Sequence, residues 1–164
     1  LRADAHGDAV LPAHLDAHFQ PASPRNIDPE GAEGPGASAA DAAALADELH
    51  KHGWRLIADG TDSHLILMDT WMGGVGISGK EASDRLEAEG IIVNKNTIPN
   101  DPRKPYDPSG IRLGTPAVTT RGMKEKEMRE VAELIHEALT KGNFYQNIRA
   151  KVKELCQKFP IPRE

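Results

Sequence analysis

The chain has 164 residues, one cysteine and a formal net charge of −5, a length that fits one domain with a tail. Its acidic and basic residues are interspersed, so no basic patch indicates nucleic-acid binding, and no apolar run reaches the roughly 18 residues of a membrane span. The lone Cys156 excludes an internal disulfide and suits a reducing cytosol, which predicts a cytoplasmic protein.

Residues 1–37 are predicted to be a low-complexity, mobile tail. The stretch PASPRNIDPEGAEGPGAS is dense in Pro, Gly, Ala and acidic residues, a composition that buries too little apolar surface to offset the entropy of ordering. The i, i+4 spacing of His14 and His18 would suit a metal on a helix face, but solvated histidines are the simpler interpretation here, and we predict no metal site. Because the chain begins at Leu1 rather than Met, we expect a fragment.

Residues 38–164 are predicted to be the folded domain. Ser38 and Asp41 have the spacing of a capping pair, which would start a first helix that stops at Gly53. The apolar runs WRLIAD (54–59) and HLILMD (64–69) follow. Separated by a Gly-Thr-Asp turn, they predict two antiparallel strands.

The next segment predicts a helix, a strand and an ordered loop. Ser78 and Glu81 form a capping box for a second helix, which Gly90 would end. The β-branched run IIVNK (91–95) predicts a third strand. Residues 97–108 contain four prolines and predict an ordered loop or turn.

The last segment predicts a fourth strand and three helices. The strand is GIRLG (110–114), and a short helix capped by Thr115, with Pro116 at its first position, would end at Gly122. Helical spacing of apolar residues then predicts two longer helices. They contain Met128, Val131, Ala132, Ile135, Ala138 and Leu139, ending at Gly142, and Ile148, Val152, Leu155, Cys156 and Phe159.

Strands interleaved with helices, without regular βαβ repeats, predict an α+β fold with a small, mostly antiparallel sheet covered by helices on one face. In this fold Cys156 lies on the apolar face of the last helix, so we expect it in the core. Arg112 in GIRLG stands on a rigid strand beside a helix N-terminus, which suits a bidentate grip on a small carboxylate. The local alternative is a surface ion pair, since most arginines are exposed.

Several motifs resemble serine hydroxymethyltransferases. GTDSHLILMD, SGKEASDRLEAEGI, VNKNTIPNDPRKP and SGIRLGTPAVTTRG occur in the order and spacing of that family, and KVKELCQKFPIP resembles the end of its bacterial members. The match covers roughly residues 40–160, which implies only the C-terminal, smaller domain of a fold-type I pyridoxal-phosphate enzyme. The sequence departs from the family at Asp59, where a glycine is usual, and at Ser63, where an asparagine is usual.

The resemblance implies the site residues and the reaction. The whole enzyme would exchange a hydroxymethyl group between serine or glycine and tetrahydrofolate, in one-carbon metabolism. Arg112 matches the residue that binds the substrate α-carboxylate, and Asn96 matches the one that contacts the pterin ring of the folate. The alternative for Asn96 is a loop asparagine that bonds neighbouring backbone, and Asn94 is expected to be structural.

The resemblance also implies what this chain lacks. In the family, the Schiff-base lysine that holds pyridoxal phosphate follows a threonine-rich run in the large domain, and no such run occurs here. Lys51, Lys80, Lys95 and Lys104 match other positions. We therefore predict no cofactor-binding and no catalytic residue in the isolated chain, and a homo-oligomer that forms through the absent domain.

A carboxylate and an imidazole lie close together in the chain at Thr61, Asp62 and His64, and this pairing also occurs in catalytic sites. In the family this turn joins two small-domain strands, so we predict that it stabilises the turn rather than the chemistry. Two further possibilities stay open for the chain as a whole: a non-catalytic binding or interaction module, and a degenerate fragment without function.

Overall fold

The computed structural model describes residues 35–140 and 147–162, all within one unit, Gly31–Glu164. The predictions for residues 1–34 of the tail, for His14 and His18, and for the helix end at Gly142 lie outside the described residues, whereas residues 35–37 of the predicted tail begin the first helix. The domain boundary at residue 37 thus stays a prediction. No helix of the described part is long and apolar enough to cross a membrane.

In the described part of the chain, five helices accompany a four-stranded antiparallel sheet with strand order β1-β2-β4-β3. The predicted α+β class is confirmed. Two short 3-10 turns, Ile57–Asp59 and Met72–Gly74, follow the first two strands. The strands are β1 Arg55–Leu56, β2 Leu65–Asp69, β3 Asn94–Asn96 and β4 Gly110–Gly114, and the helices are α1 Pro35–Lys51, α2 Gly79–Ala88, α3 Pro116–Thr120, α4 Glu125–Thr140 and α5 Ile148–Lys158.

The two faces of the sheet differ in burial. In the central strands, Ile66 and Met68 of β2 and Ile111 and Leu113 of β4 are buried and join the hydrophobic core that the helices complete. Since side chains alternate along a strand, the residues between them lie on the opposite face, where Arg112 is exposed. The helices therefore cover one face and leave the other open.

The start of α2 is as predicted, whereas the start of α1 is not. Ser78 caps α2, its Oγ accepting a hydrogen bond from the Glu81 backbone N–H at 3.1 Å. The predicted capping pair Ser38 and Asp41 is wrong, because α1 begins at Pro35 and both residues lie inside it. The Ser38 hydroxyl instead lies 2.9 Å from the Thr115 hydroxyl, a contact between residues 77 apart that local spacing does not reveal.

Two strands are shorter or displaced relative to the prediction. β1 ends at Leu56 because the backbone turns, with positive φ of 63° at Ala58 and 51° at Asp59. Aspartate tolerates this left-handed region better than most residues, which suits Asp59 to this turn. The third strand is Asn94–Asn96 rather than 91–95, because the Ile91 N–H bonds the Leu86 carbonyl and completes the end of α2.

The two ends of α3 make side-chain contacts with distant helices. Thr115 precedes Pro116 as predicted but makes no side-chain capping bond, because its hydroxyl donates to the Ser38 carbonyl at 2.7 Å. At the other end, Arg121 donates to the carbonyls of Phe159 at 2.7 Å and Cys156 at 3.0 Å, at the C-terminus of α5. The expectation of a core Cys156 is wrong, since that residue is only half-buried.

Candidate functional site

Arg112 lies in the middle of β4, a strand that the core holds in place. Its neighbours Ile111 and Leu113 are 0% and 4% exposed, so the strand cannot rotate without unburying both. Two residues away on the same face are Gly110 and Gly114, which carry no side chain to cover the arginine. The strand thus presents an exposed guanidinium on a rigid support.

The guanidinium of Arg112 makes no hydrogen bond or ion pair with any residue that the structure describes. The acidic residue on the same face of β2 is Asp69, two positions from the Arg112 partner in the register. Its carboxylate is already engaged, with the Arg55 guanidinium at 2.9 Å and the N–H groups of Trp71 and Met72 at 3.0 Å each. The ion pair that was the alternative for Arg112 is therefore not formed within residues 35–140 and 147–162.

Asp101 organises the proline-rich loop between β3 and β4. One carboxylate oxygen accepts from Ser109 Oγ at 2.6 Å and the Arg103 N–H at 2.8 Å. The other oxygen accepts from the N–H groups of Ser109 at 3.0 Å and Ile98 at 3.1 Å. Burial raises the pKa of the Asp101 carboxyl, but these four hydrogen bonds outweigh it and lower the pKa to about 2.

The same loop is fastened to the end of β2. The Ser109 carbonyl accepts from the Thr70 N–H at 2.9 Å, the Thr70 hydroxyl at 3.1 Å and the Trp71 N–H at 3.0 Å. The Arg103 guanidinium lies 4.2 Å from the centre of the Trp71 ring, a cation–π contact. The predicted ordered loop is confirmed, and it leads directly into the strand that carries Arg112.

Asn96 and Asn94 occupy the same face of β3, one strand away from Arg112. Asn96 pairs with Gly110 in the register, and its side-chain Nδ2 donates to the neighbouring Thr97 carbonyl at 2.7 Å. That bond is the one expected of a loop asparagine, and it leaves the Asn96 Oδ1 without a described partner. Asn94 pairs directly with Arg112 and is exposed.

The Thr61–His64 turn makes local contacts. The Thr61 hydroxyl donates to the Leu65 carbonyl at 2.6 Å and accepts from the Ser63 N–H at 3.1 Å. The His64 backbone carbonyl accepts from the N–H of Thr115, three residues after Arg112, at 3.1 Å. These bonds fix the turn and its junction with β4, as the predicted structural role requires.

The four lysines singled out from the sequence are exposed and have surface partners. Lys51 and Lys80 pair with carboxylates of their own helices at 2.8 Å and 2.6 Å. The hydrogen bond that Lys80 donates to Asp84 raises the pKa of Lys80, which keeps its amine protonated and is the opposite of what a covalent catalytic lysine needs. Lys95 donates to the Tyr106 carbonyl at 3.2 Å. Among the described residues, no group of three or more His, Cys, Asp or Glu side chains is placed to hold a metal ion.

The contacts of Asp101 and the cross-strand position of Asn94 were not predicted from the sequence. No sequence motif marks Asp101, which lies between Asn100 and Pro102. Its four hydrogen bonds form only when the loop is folded. Asn94 was expected to be structural. The alternation of the NKN run already places Asn94 and Asn96 on one face, but only the strand register shows that Asn94 lies opposite Arg112.

Comparison with known proteins agrees with the motifs. The model of the family described as serine hydroxymethyltransferase matches residues 34–135. A serine hydroxymethyltransferase of Desulforapulum autotrophicum is 53% identical over 125 residues, which are 76% of this chain and 30% of that relative. The chain thus spans less than a third of the relative's length.

Proposed function

The chain belongs to the serine hydroxymethyltransferase family, and we propose that it is the C-terminal portion of such an enzyme. Joined to a large domain, it would take part in the exchange of a hydroxymethyl group between serine or glycine and tetrahydrofolate. The large domain would supply the pyridoxal phosphate site and the oligomer contacts. On the evidence of a single cysteine, we place this reaction of one-carbon metabolism in the cytoplasm.

The observation that carries the proposal is the guanidinium of Arg112, which lies on a rigid strand and has no hydrogen-bonding or ionic partner among the described residues. A planar fork with its donors free suits the two oxygens of an amino-acid carboxylate. Because Ile111 and Leu113 anchor the strand, the guanidinium is positioned before the substrate arrives, and positioning of this kind contributes to lowering the barrier. Arg112 would then orient the amino acid for chemistry that takes place on the other domain.

Asn96 is proposed to contact the folate. Its Oδ1 is the atom available for a donor on the pterin edge, since Nδ2 already bonds the Thr97 carbonyl. Lys51, Lys80, Lys95 and Lys104 do not fit a covalent cofactor site, because all four are exposed and the hydrogen bond of Lys80 to Asp84 raises the pKa of the Lys80 amine. We therefore infer that the isolated chain is inactive and binds no pyridoxal phosphate covalently.

The test is a chimaera in which this chain replaces the matching segment of the Desulforapulum relative. We expect serine turnover with tetrahydrofolate by the chimaera, and none by the chain alone. In the chimaera, Arg112→Lys should lower kcat/KM for serine by at least ten-fold, because lysine keeps the charge but loses the planar fork. Binding of pyridoxal phosphate, followed by its absorbance, should be unchanged.

Arg129→Lys is the matched control, since Arg129 is exposed on α4 and bonds only the Glu125 carbonyl of its own helix. A folded chimaera with no serine turnover would favour a binding module or a degenerate fragment. Normal turnover in the Arg112→Lys variant would instead assign Arg112 a structural role. Borohydride reduction and mass spectrometry of the isolated chain should give no stoichiometric pyridoxyl adduct.

A further inference from the structure

The strand register makes Asn94 the direct cross-strand neighbour of Arg112. β3 and β4 are antiparallel, with Asn94 opposite Arg112 and Asn96 opposite Gly110. Directly opposite residues on one face have Cβ atoms about 5 Å apart, whereas diagonal neighbours are about 7–8 Å apart. Asn94 is therefore closer to the base of the Arg112 side chain than Asn96 is.

Apart from Asn96, whose Nδ2 already bonds the Thr97 carbonyl, the neighbouring positions of the sheet offer Arg112 no comparable polar group. Along β4, Gly110 and Gly114 flank it on the same face, and across β2 its partner is Leu67. The diagonal Asp69 is buried and bonded to Arg55 and to two backbone N–H groups. Asn94 is exposed, and its amide makes no hydrogen bond with the part of the chain that the structure describes.

We propose that Asn94 is a second binding residue for the carboxylate that Arg112 holds, its Nδ2 donating to a carboxylate oxygen. This inference rests on the proposed function, which places that carboxylate at Arg112. A carboxylate has more acceptor sites than one guanidinium fork fills, so a neighbouring amide donor has an oxygen to bond. An amide adds this donor without adding charge, and it does not compete with the substrate for Arg112.

Two kinds of substitution at position 94 test the proposal: one removes the amide donor, and the other replaces it with a negative charge. In the chimaera, Asn94→Ala should raise KM for serine roughly ten-fold with kcat changed less than three-fold, since a hydrogen bond to a charged group is lost. Asn94→Asp should raise KM further, because a carboxylate opposite Arg112 pairs with it and repels the substrate. Asn94→Ser keeps a donor and should recover part of the loss.

Gln157→Ala and Gln157→Asp are matched controls, because Gln157 is an exposed amide on α5, away from the sheet. Melting temperatures should stay within about 2 °C in all variants, and recovery by Asn94→Ser identifies the donor even if Asn94→Ala is less stable. A KM within two-fold of the parent in both Asn94→Ala and Asn94→Asp would overturn the inference while Arg112→Lys still impairs serine use. If the folded parent chimaera is inactive, or Arg112→Lys has no effect, the proposed function fails and this inference falls with it.

Discussion

The carboxylate of Asp41 in α1 accepts a hydrogen bond from the hydroxyl of Thr119 in α3 at 2.5 Å, across 78 residues of sequence. One turn earlier on α1, the Ser38 hydroxyl meets that of Thr115. Two side chains of α1 thus hold the short helix that directly follows the strand of Arg112. Through these two contacts, the position of α1 is linked to the position of α3 and of the strand that carries Arg112.

Asp41→Asn should stabilise the domain at neutral pH. Burial raises the pKa of the Asp41 carboxyl above its usual 3.8, with the Thr119 hydrogen bond opposing, so the folded state disfavours the charged form. Wild-type stability then falls as the pH rises from about 4 through the folded pKa. Asparagine keeps an acceptor for Thr119 without the charge, and we expect a gain on the order of 1 kcal/mol at pH 7. Urea unfolding measures it, and no gain over the exposed control Asp47→Asn would contradict it.

Asp101→Asn should have the opposite pH signature. The Asp101 pKa falls from 3.8 to about 2 on folding, so its contribution is present above pH 4 and is lost as the pH falls towards 2. By linkage the loss at pH 7 is at most about 2 kcal/mol, and the variant should lack this part of the acid transition. Acid unfolding followed by circular dichroism tests this prediction, and the exposed Asp62→Asn is the control. The same pH dependence of unfolding in wild type and Asp101→Asn would rule the effect out.

Arg121→Ala should destabilise the junction of α3 and α5. It removes two charge-assisted hydrogen bonds to the carbonyls of Phe159 and Cys156, which are otherwise unpaired acceptors at a helix end. We expect a loss of about 2 kcal/mol in the free energy of unfolding. The control is Arg129→Ala, which loses only an exposed 3.3 Å bond within α4 and should cost less than about 0.5 kcal/mol. Equal losses in the two variants would refute the capping role.

Gly79→Ala should damage the fold although alanine is the better helix former. A Cβ at Gly79 would collide with the Gly110 carbonyl, so α2 would have to move away from β4. We expect a loss of at least about 3 kcal/mol, against a change within about 0.5 kcal/mol for Gly114→Ala. There the nearest atom to the new Cβ is the tip of the half-exposed Leu65 side chain at 3.3 Å, and the His64 carbonyl and the Pro116 ring lie at ordinary contact distances of 3.8 and 3.9 Å. Thermal unfolding compares them, and a stable Gly79→Ala protein would mean that this contact is loose in solution.

Elements governed by local spacing were predicted well from the sequence. The cap at Ser78, the strand that carries Arg112 and the glycine that follows α3 each depend on residues within a few positions. The motifs likewise identified the family, since each motif is a continuous run of residues that can be recognised without the fold.

The misplaced elements depend on distant partners. Ser38 has the residue type of a cap, but its partner Thr115 lies 77 positions away. Val93 and Ile91 have the residue types of a strand, yet both are packed against the core beside the end of α2. The position of Asn94 opposite Arg112 could not be predicted for the same reason, because strand register is set by the whole sheet and not by the NKN run.

The separation between α1 and its partners also affects the order in which the protein can fold during synthesis. Thr115 leaves the ribosome 77 residues after Ser38, a delay of roughly 4–15 s at 5–20 residues per second. During that interval α1 carries Ala42, Leu45 and Leu49, all buried in the finished domain, without the helices α3 and α4 that later cover them. The first described helix is therefore among the last to reach its final contacts, and until then its apolar residues are open to chaperones and to aggregation.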